Sequence, residues 1–259
     1  MNPARKTYVL VHGAYHGGWC WKDVARRLRG LGHDVYTPTL TGLGERAHLI
    51  AISPTLEMFI TDVAQVIAYE DLQDVVLVGH SFAGSVVAGV ADRMPERLQH
   101  LVFFDAQVLQ SGESAFDRAL PEVVGSYRAA ARASSGGLSV PAGDPARFGI
   151  ADPGTLDWIK TKLTPQPYQT YRDKLQLTHP LRNGVPATYI ACTAPMNPPT
   201  ASSRERVKAM PGWTYLELAA GHDAMLTAPA ELTAMLAGIG RAEGCRILPS
   251  TQAAQELRS

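Results

Sequence analysis

Chemistry is most concentrated in this chain at a serine set between small residues at the end of an apolar run. Asp74-Val75-Val76-Leu77-Val78-Gly79-His80-Ser81-Phe82-Ala83-Gly84 reads as a buried strand entering a tight turn, and Ser85 to Asp92 reads as the start of a helix of small residues. A hydroxyl becomes a useful nucleophile when it stands clear of its backbone and meets a base. A strained strand-to-helix turn gives Ser81 that exposure. Gly79 and Ala83 keep side chains out of the crossing between strand and helix. The helix N-terminus behind Ser81 offers N–H groups and a positive dipole end to a developing oxyanion. The pattern is G-x-S-x-A rather than G-x-S-x-G, but alanine is small and Gly84 follows it. A phosphate-binding loop is the competing reading, yet neither G-x-G-x-x-G nor G-x-x-x-x-G-K-[ST] is present here.

A serine of this kind needs a base and an acid that orients the base. His222 follows Gly221 in a turn between the last strand and the last helix, where an imidazole can hang over the sheet edge. The chain order serine, acid, histidine is that of α/β-hydrolases. His12, His16 and His80 lie in loops around the site and are expected to shape it, as is Gly13. The acid is less direct. The turn after the strand ending at Cys192, its commonest place, runs from Thr193 to Ser203 without a carboxylate. Asp105, at the end of the strand after the serine's helix, is the first choice, against a turn or helix cap as its bland role. Asp223 ranks second, because a residue adjacent to the histidine has difficulty reaching its Nδ1, and Glu217 third. For the oxyanion, the Phe82 N–H supplies one donor and the glycine-rich loop after the first strand the other, at Ala14.

The elements that must position these residues follow from periodicity. Short apolar strands at 7–11, 33–37 and 98–104, and the one that opens at Asp74 and runs into the serine turn, alternate with helices at 21–31, 56–69 and 85–93, the second of these capped by Thr55 or its neighbour. Alternation of this type implies a mostly parallel sheet covered by helices on both faces, with ligands outside the carboxyl ends of the strands. From Ala106 to Gly184 helical pieces (115–133, 155–163, 168–177) sit among Gly, Pro and Ser with no clear buried strand, which reads as a helical cap over the site. Strands resume at 185–192 and 213–218, and a helix covers 230–236. The expected division is an α/β core at 1–106 and 185–240, a cap at 107–184 and a peripheral tail at 241–259.

The 259 residues, 46% hydrophobic and 19% charged with zero formal net charge, give no electrostatic footprint for nucleic acid. The cysteines Cys20, Cys192 and Cys245 are odd in number and far apart, which points away from a disulfide framework or a metal site and toward a reducing, cytoplasmic setting. Met1 to Lys6 are too few for a signal peptide, and no apolar run approaches a membrane span. No metal or organic cofactor is expected. The expected partner is a small molecule, with homodimerisation left open.

Several stretches together resemble the α/β-hydrolases that include plant hydroxynitrile lyases and salicylate-binding methylesterases, in a bacterial carboxylesterase-like branch. They are Val9 to Trp19, Thr39 to Arg46, the turn at Ser81, Phe104-Asp105-Ala106 and Gly221 to Met225. Lyases of that group resemble one another in a threonine after the first strand's histidine and a lysine after the catalytic histidine; here those positions are Gly13 and Asp223. The resemblance therefore implies ester hydrolysis through an acyl-enzyme on Ser81. Aromatic residues of the cap (Phe116, Tyr127, Phe148, Trp158, Tyr168, Tyr171) imply a small, mainly apolar ester, with cap packing as their bland role. The rival expectations are a lyase or C–C cleaving enzyme on the same scaffold, and a small-molecule binding protein with negligible turnover.

Overall fold

The computed structural model describes residues 5–240. The tail expected at 241–259, with Cys245, lies outside the described residues. In chain order, β1 (Thr7–Val11), α1 (Lys22–Gly30), β2 (Asp34–Tyr36), α2 (Leu56–Tyr69), β3 (Val75–His80), α3 (Ala83–Arg93) and β4 (Leu98–Phe104) form the first half of the core. An insertion follows with α4 (Pro121–Ser135), β5 (Ser139–Val140), α5 (Pro153–Lys160), β6 (Gln166–Pro167) and α6 (Tyr168–Arg172). The core is completed by β7 (Ala187–Cys192), α7 (Ala201–Lys208), β8 (Trp213–Leu218), α8 (Ala224–Thr227) and α9 (Pro229–Gly238).

Six strands make one sheet in the order β2-β1-β3-β4-β7-β8, every neighbouring pair parallel. The period of two along each strand divides its side chains between two cores. Val75 and Leu77 pack with Phe59, Val63 and Val86 on the face covered by α2 and α3. Val76 and Val78 pack with Trp21, Leu28 and Leu236 on the face covered by α1 and α9. All of β3 is buried, so its C-terminal end brings Ser81 to the middle of the sheet's upper edge. Helix α2 starts where the Thr55 hydroxyl accepts the Met58 N–H at 3.2 Å, and Phe59, Val63 and Ile67 make its buried stripe.

The insertion departs from the sequence expectation in three places. The helix expected over 115–133 is a short 3-10 turn at Phe116–Arg118 and then α4, because Pro121 can open a helix but cannot continue one. The helix expected over 168–177 stops at Arg172, where extended Asp173 turns its carboxylate to the Leu56 N–H at 2.8 Å. The expectation of no buried strand is corrected by β5 and β6, which pair antiparallel as a buried two-stranded ribbon. Outside the insertion, the stretch expected to be a turn after Cys192 gives way to α7 from Ala201, and the chain after β2 enters a 3-10 segment at Gly44–Ile52.

Two glycines in helices separate packing from propensity. A β-carbon on Gly84 would lie 1.9 Å from the Gln107 carbonyl oxygen, whereas one on Gly125 in α4 would meet nothing within 4 Å. Gly84→Ala is expected to destabilise the fold by more than about 3 kcal/mol. Gly125→Ala is expected to stabilise it by about 0.5–1 kcal/mol. Urea unfolding of the two variants beside wild type checks both signs.

Candidate active site

Ser81 sits in the turn between β3 and α3 at φ +54°. A non-glycine residue holds that left-handed conformation only where its surroundings impose it. Here the Ser81 N–H donates to the Phe104 carbonyl at 3.1 Å, while its own carbonyl accepts from Gly84 at 3.2 Å and Gln107 at 3.0 Å. Small neighbours are required: a β-carbon on Gly79 would come within 2.7 Å of the Ala83 carbonyl oxygen, and one on Gly13 within 2.8 Å of the Ser81 β-carbon.

His222 Nε2 lies 2.9 Å from Ser81 Oγ, and His222 Nδ1 lies 2.6 Å from Asp105 Oδ2. Asp105, the first-ranked acid, is thus the carboxylate that the fold brings to the imidazole. It follows β4 directly and its backbone also turns to positive φ, +37°. Its side chain is fully buried. The second oxygen, Oδ1, accepts from the Cys192 N–H at 3.4 Å and from Arg204 at 3.3 Å, with the Thr200 hydroxyl at 3.2 Å. A buried carboxylate needs such partners, because desolvation penalises the charge. Arg204 donates as well to the Asn197 carbonyl at 3.1 Å and to Thr200 Oγ1 at 2.7 Å.

Sequence reasoning missed this support. The turn after β7 carries no carboxylate, but it places the Asn197 amide 3.1 Å from His222 Nδ1. A proton on Nδ1 directed at Asp105 requires the amide to face that nitrogen through its oxygen. The signal for Arg204 was a cation directly after the acid-free stretch 193–203, on a helix that the sequence did not announce. Gln107 was missed too; its amide donates to the Phe82 carbonyl at 3.0 Å and to Ser85 Oγ at 2.6 Å, bracing the turn.

The other expected residues have defined places. Asp223 does not reach His222 Nδ1; its Oδ2 lies 3.0 Å from His16 Nε2. Glu217 is exposed on β8. Ala14 and Phe82 both line the cavity over Ser81, and neither N–H has a protein acceptor among the described residues. His80 Nε2 donates to the His222 carbonyl at 3.0 Å. Burial, then the nearby His222 and His16 rings, hold His80 well below the usual histidine range, so it is neutral. His80, His222 and Asp223 bring ligand-type atoms within 4.8 Å of one another, but both His222 nitrogens are directed to Ser81 and Asp105 and the His80 N–H to a carbonyl.

The cavity measures about 240 Å³. Tyr127, Phe148 and Tyr171 of the insertion line it, whereas Phe116 stacks on Tyr171 behind the wall and Trp158 packs edge-on against Trp19. The wall is not purely apolar. The Tyr171 hydroxyl donates to Tyr15 Oη at 3.0 Å, and the Arg147 guanidinium lies over the rings of Tyr15 and Phe148 at the rim.

Removing Arg204 strands a buried carboxylate, so Arg204→Met is expected to lower the unfolding free energy by about 3–5 kcal/mol. Thr200→Val is expected to cost about 1 kcal/mol, and denaturant titrations distinguish the two. His12 supplies a pH dependence. Its Nε2 accepts from the Leu40 N–H at 3.0 Å, its Nδ1–H donates to the Gly13 carbonyl at 2.8 Å, and burial pushes it down to about 3. The unfolded chain takes up that proton near pH 6.5, so His12 makes stability fall as pH drops from about 6.5 toward 3. His80 acts in the same direction. The urea midpoint is expected to be lower at pH 5 than at pH 7, with a smaller drop in His12→Gln.

The family model described as the alpha/beta hydrolase family matches residues 8–235. A carbendazim hydrolyzing esterase of Nocardioides sp. (strain SG-4G) is 39% identical over 241 residues, 90% of this chain and 99% of that protein. Methylesterase 1 of Arabidopsis thaliana is 35% identical over 104 residues, 39% of this chain and 40% of its own length. Among solved structures, an extracellular α/β-hydrolase from a Paenibacillus species superposes with a TM-score of 0.81 at 27% identity, covering 92% of this chain and all of that one; it is described as sharing structural and functional homology with tobacco Salicylic Acid Binding Protein 2. Matched by the family model along most of its length and by a bacterial relative nearly end to end, this chain belongs to the α/β-hydrolase family.

Proposed function

We propose that the chain is a serine carboxylesterase acting on small esters through an acyl-enzyme on Ser81. The observation that carries this reading is the continuous chain Ser81 Oγ, His222, Asp105 at 2.9 and 2.6 Å, opening into a cavity beside two unengaged N–H groups. The relatives named as esterases support the same class.

In the first step Ser81 Oγ attacks the ester carbonyl carbon while His222 Nε2 takes its proton. Asp105 holds the Nδ1 proton and stabilises the imidazolium. The carbonyl oxygen, now anionic, receives the Ala14 and Phe82 N–H groups. Collapse breaks the bond to the leaving alkoxide, which takes the proton from Nε2 and departs as the alcohol. Water then gives its proton to Nε2 and attacks the acyl carbon, and the acid leaves as Ser81 regains its hydrogen.

A cyanohydrin lyase would need a cation beside the histidine for the departing cyanide. Position 223 is an aspartate already paired with His16, and Gly13 has no room for a β-carbon without moving Ser81. We assign residues 107–184 as the cap, because Tyr127, Arg147, Phe148 and Tyr171 all come from it to line the cavity. The buried free thiols Cys20 and Cys192 favour a cytoplasmic setting. No helix among the described residues is long and apolar enough to cross a membrane.

The test is hydrolysis of p-nitrophenyl acetate and butyrate by wild type and three variants. Ser81→Ala and His222→Ala are expected to lower kcat by about 10⁴-fold or more, and Asp105→Asn by about 10⁴-fold. Wild-type turnover no faster than Ser81→Ala would overturn the assignment; full activity in Asp105→Asn would remove Asp105 from the triad.

A further inference from the structure

A second buried histidine–carboxylate pair lies beside the first and takes no part in the proton transfers above. The His16 ring, 1% exposed, has Nδ1 2.7 Å from the Ala14 carbonyl oxygen and Nε2 3.0 Å from Asp223 Oδ2. Both partners are acceptors only. A neutral imidazole carries one N–H and would turn a lone pair toward one of them; an imidazolium donates to both. Asp223 is fully buried and needs a compensating cation. Two other imidazoles lie near it among the described residues: His80, with Nε2 3.9 Å from Oδ1 and its N–H already given to the His222 carbonyl, and His222, whose nitrogens are directed to Ser81 and Asp105. The face of Trp19 stacks on the His16 ring at 5.4 Å and 28°, a surface that favours a cation.

We propose that His16 and Asp223 form a buried imidazolium–carboxylate pair that positions the oxyanion loop and the catalytic histidine loop relative to each other. The proposal rests on the esterase reading for its catalytic consequence, but not for the charge state itself. Its two ends explain how it acts. At one end, His16 fixes the Ala14 carbonyl while Gly13, just before it, is pressed against Ser81, so the Ala14 N–H between them has little freedom. At the other end, Asp223 follows His222 directly, and its N–H is given to the Phe148 carbonyl at 3.0 Å. With His80 holding the His222 carbonyl, the peptide that carries the imidazole is fixed on both sides. His16 and Asp223 are positioning residues: His16 lines the cavity, but both of its ring nitrogens are turned to Asp223 and the Ala14 carbonyl.

The groups facing His16 are Asp223 from the turn before α8, the Ala14 carbonyl of its own loop, His80 at the end of β3, His12 at the end of β1 and Arg147 from the insertion. Burial opposes its charge, but the Asp223 carboxylate and the Ala14 carbonyl outweigh burial and the repulsion of Arg147, so the proton is held above the ordinary histidine value. The pair's contribution is therefore fully present below about pH 6.5 and is lost as pH rises through the higher native value.

The experiment joins nitrogen-15 NMR of histidine-labelled protein to steady-state kinetics on p-nitrophenyl acetate. At pH 7, wild type is expected to show one buried histidine protonated on both ring nitrogens, absent from His16→Gln and reduced to a single N–H in Asp223→Asn. Both variants are expected to lose about 10- to 100-fold in kcat with KM within about twofold, since displacement by a fraction of an ångström harms the transition state more than binding. A His16 ring carrying one proton in wild type at pH 7 overturns the proposal whether or not the variants fold. Folded variants with kcat within twofold of wild type, or a loss confined to KM, overturn the positioning role. Wild type that fails to exceed the Ser81→Ala background sinks the esterase reading instead, and the NMR result still decides the pair.

Discussion

The site depends on one buried charge. Asp105 is sealed from water at the end of β4, and its carboxylate is tolerable there only because the His222 N–H takes one oxygen while Arg204, Thr200 and the Cys192 N–H crowd the other. Three of these partners also have a second task. Arg204 ties down the Asn197 carbonyl, Cys192 ends the neighbouring strand, and His222 reaches Ser81. The acid is thus a junction through which β4, β7, α7 and the histidine turn are held in one geometry. Its left-handed backbone is the local cost of turning a side chain sideways from a strand end, as at Ser81.

The sheet was legible because its strands are short apolar runs of the right length, several of them closed by a turn residue, as β1 is by His12-Gly13 and β4 by Asp105. The serine turn was legible for the same reason: Gly79, Ser81 and Ala83 are neighbours in sequence, and steric demands between neighbours leave a local trace. Thr55 marked the start of α2 by a capping interaction that spans three residues. Asp105 could be reached from topology, since β3 and β4 are adjacent and parallel and their ends must meet.

What was hidden is long-range and polar. Arg204 meets Asp105 across 99 positions and His16 meets Asp223 across 207, and no periodicity announces either pair. The stretch after β7 carries no acid, but Thr200 within it and Arg204 just beyond it hold Asp105 in place. Adjacency tells that Asp223 is poorly placed for His222 but not that its carboxylate reaches His16 instead. In the insertion the elements are short and closed by proline or by side-chain hydrogen bonds, so apolar spacing overstated two helices and missed the β5–β6 ribbon.

The insertion is stitched by backbone to the loop after β1 and to the turn carrying His222. Thr164 gives its N–H to the Tyr15 carbonyl at 2.9 Å, and the Phe148 carbonyl receives the Asp223 N–H at 3.0 Å. Gly149 passes so near Gly221 that a β-carbon there would stand 2.7 Å from the Gly221 α-carbon. Mechanically the segment is a strut rather than a door. Swinging it outward would pull on the loop before His16 and on the turn carrying His222, so an open form would also be a disarmed one. Traffic into and out of the cavity must then pass through side-chain movement at the rim, where Arg147 rests on Tyr15 and Phe148 without a carboxylate partner among the described residues.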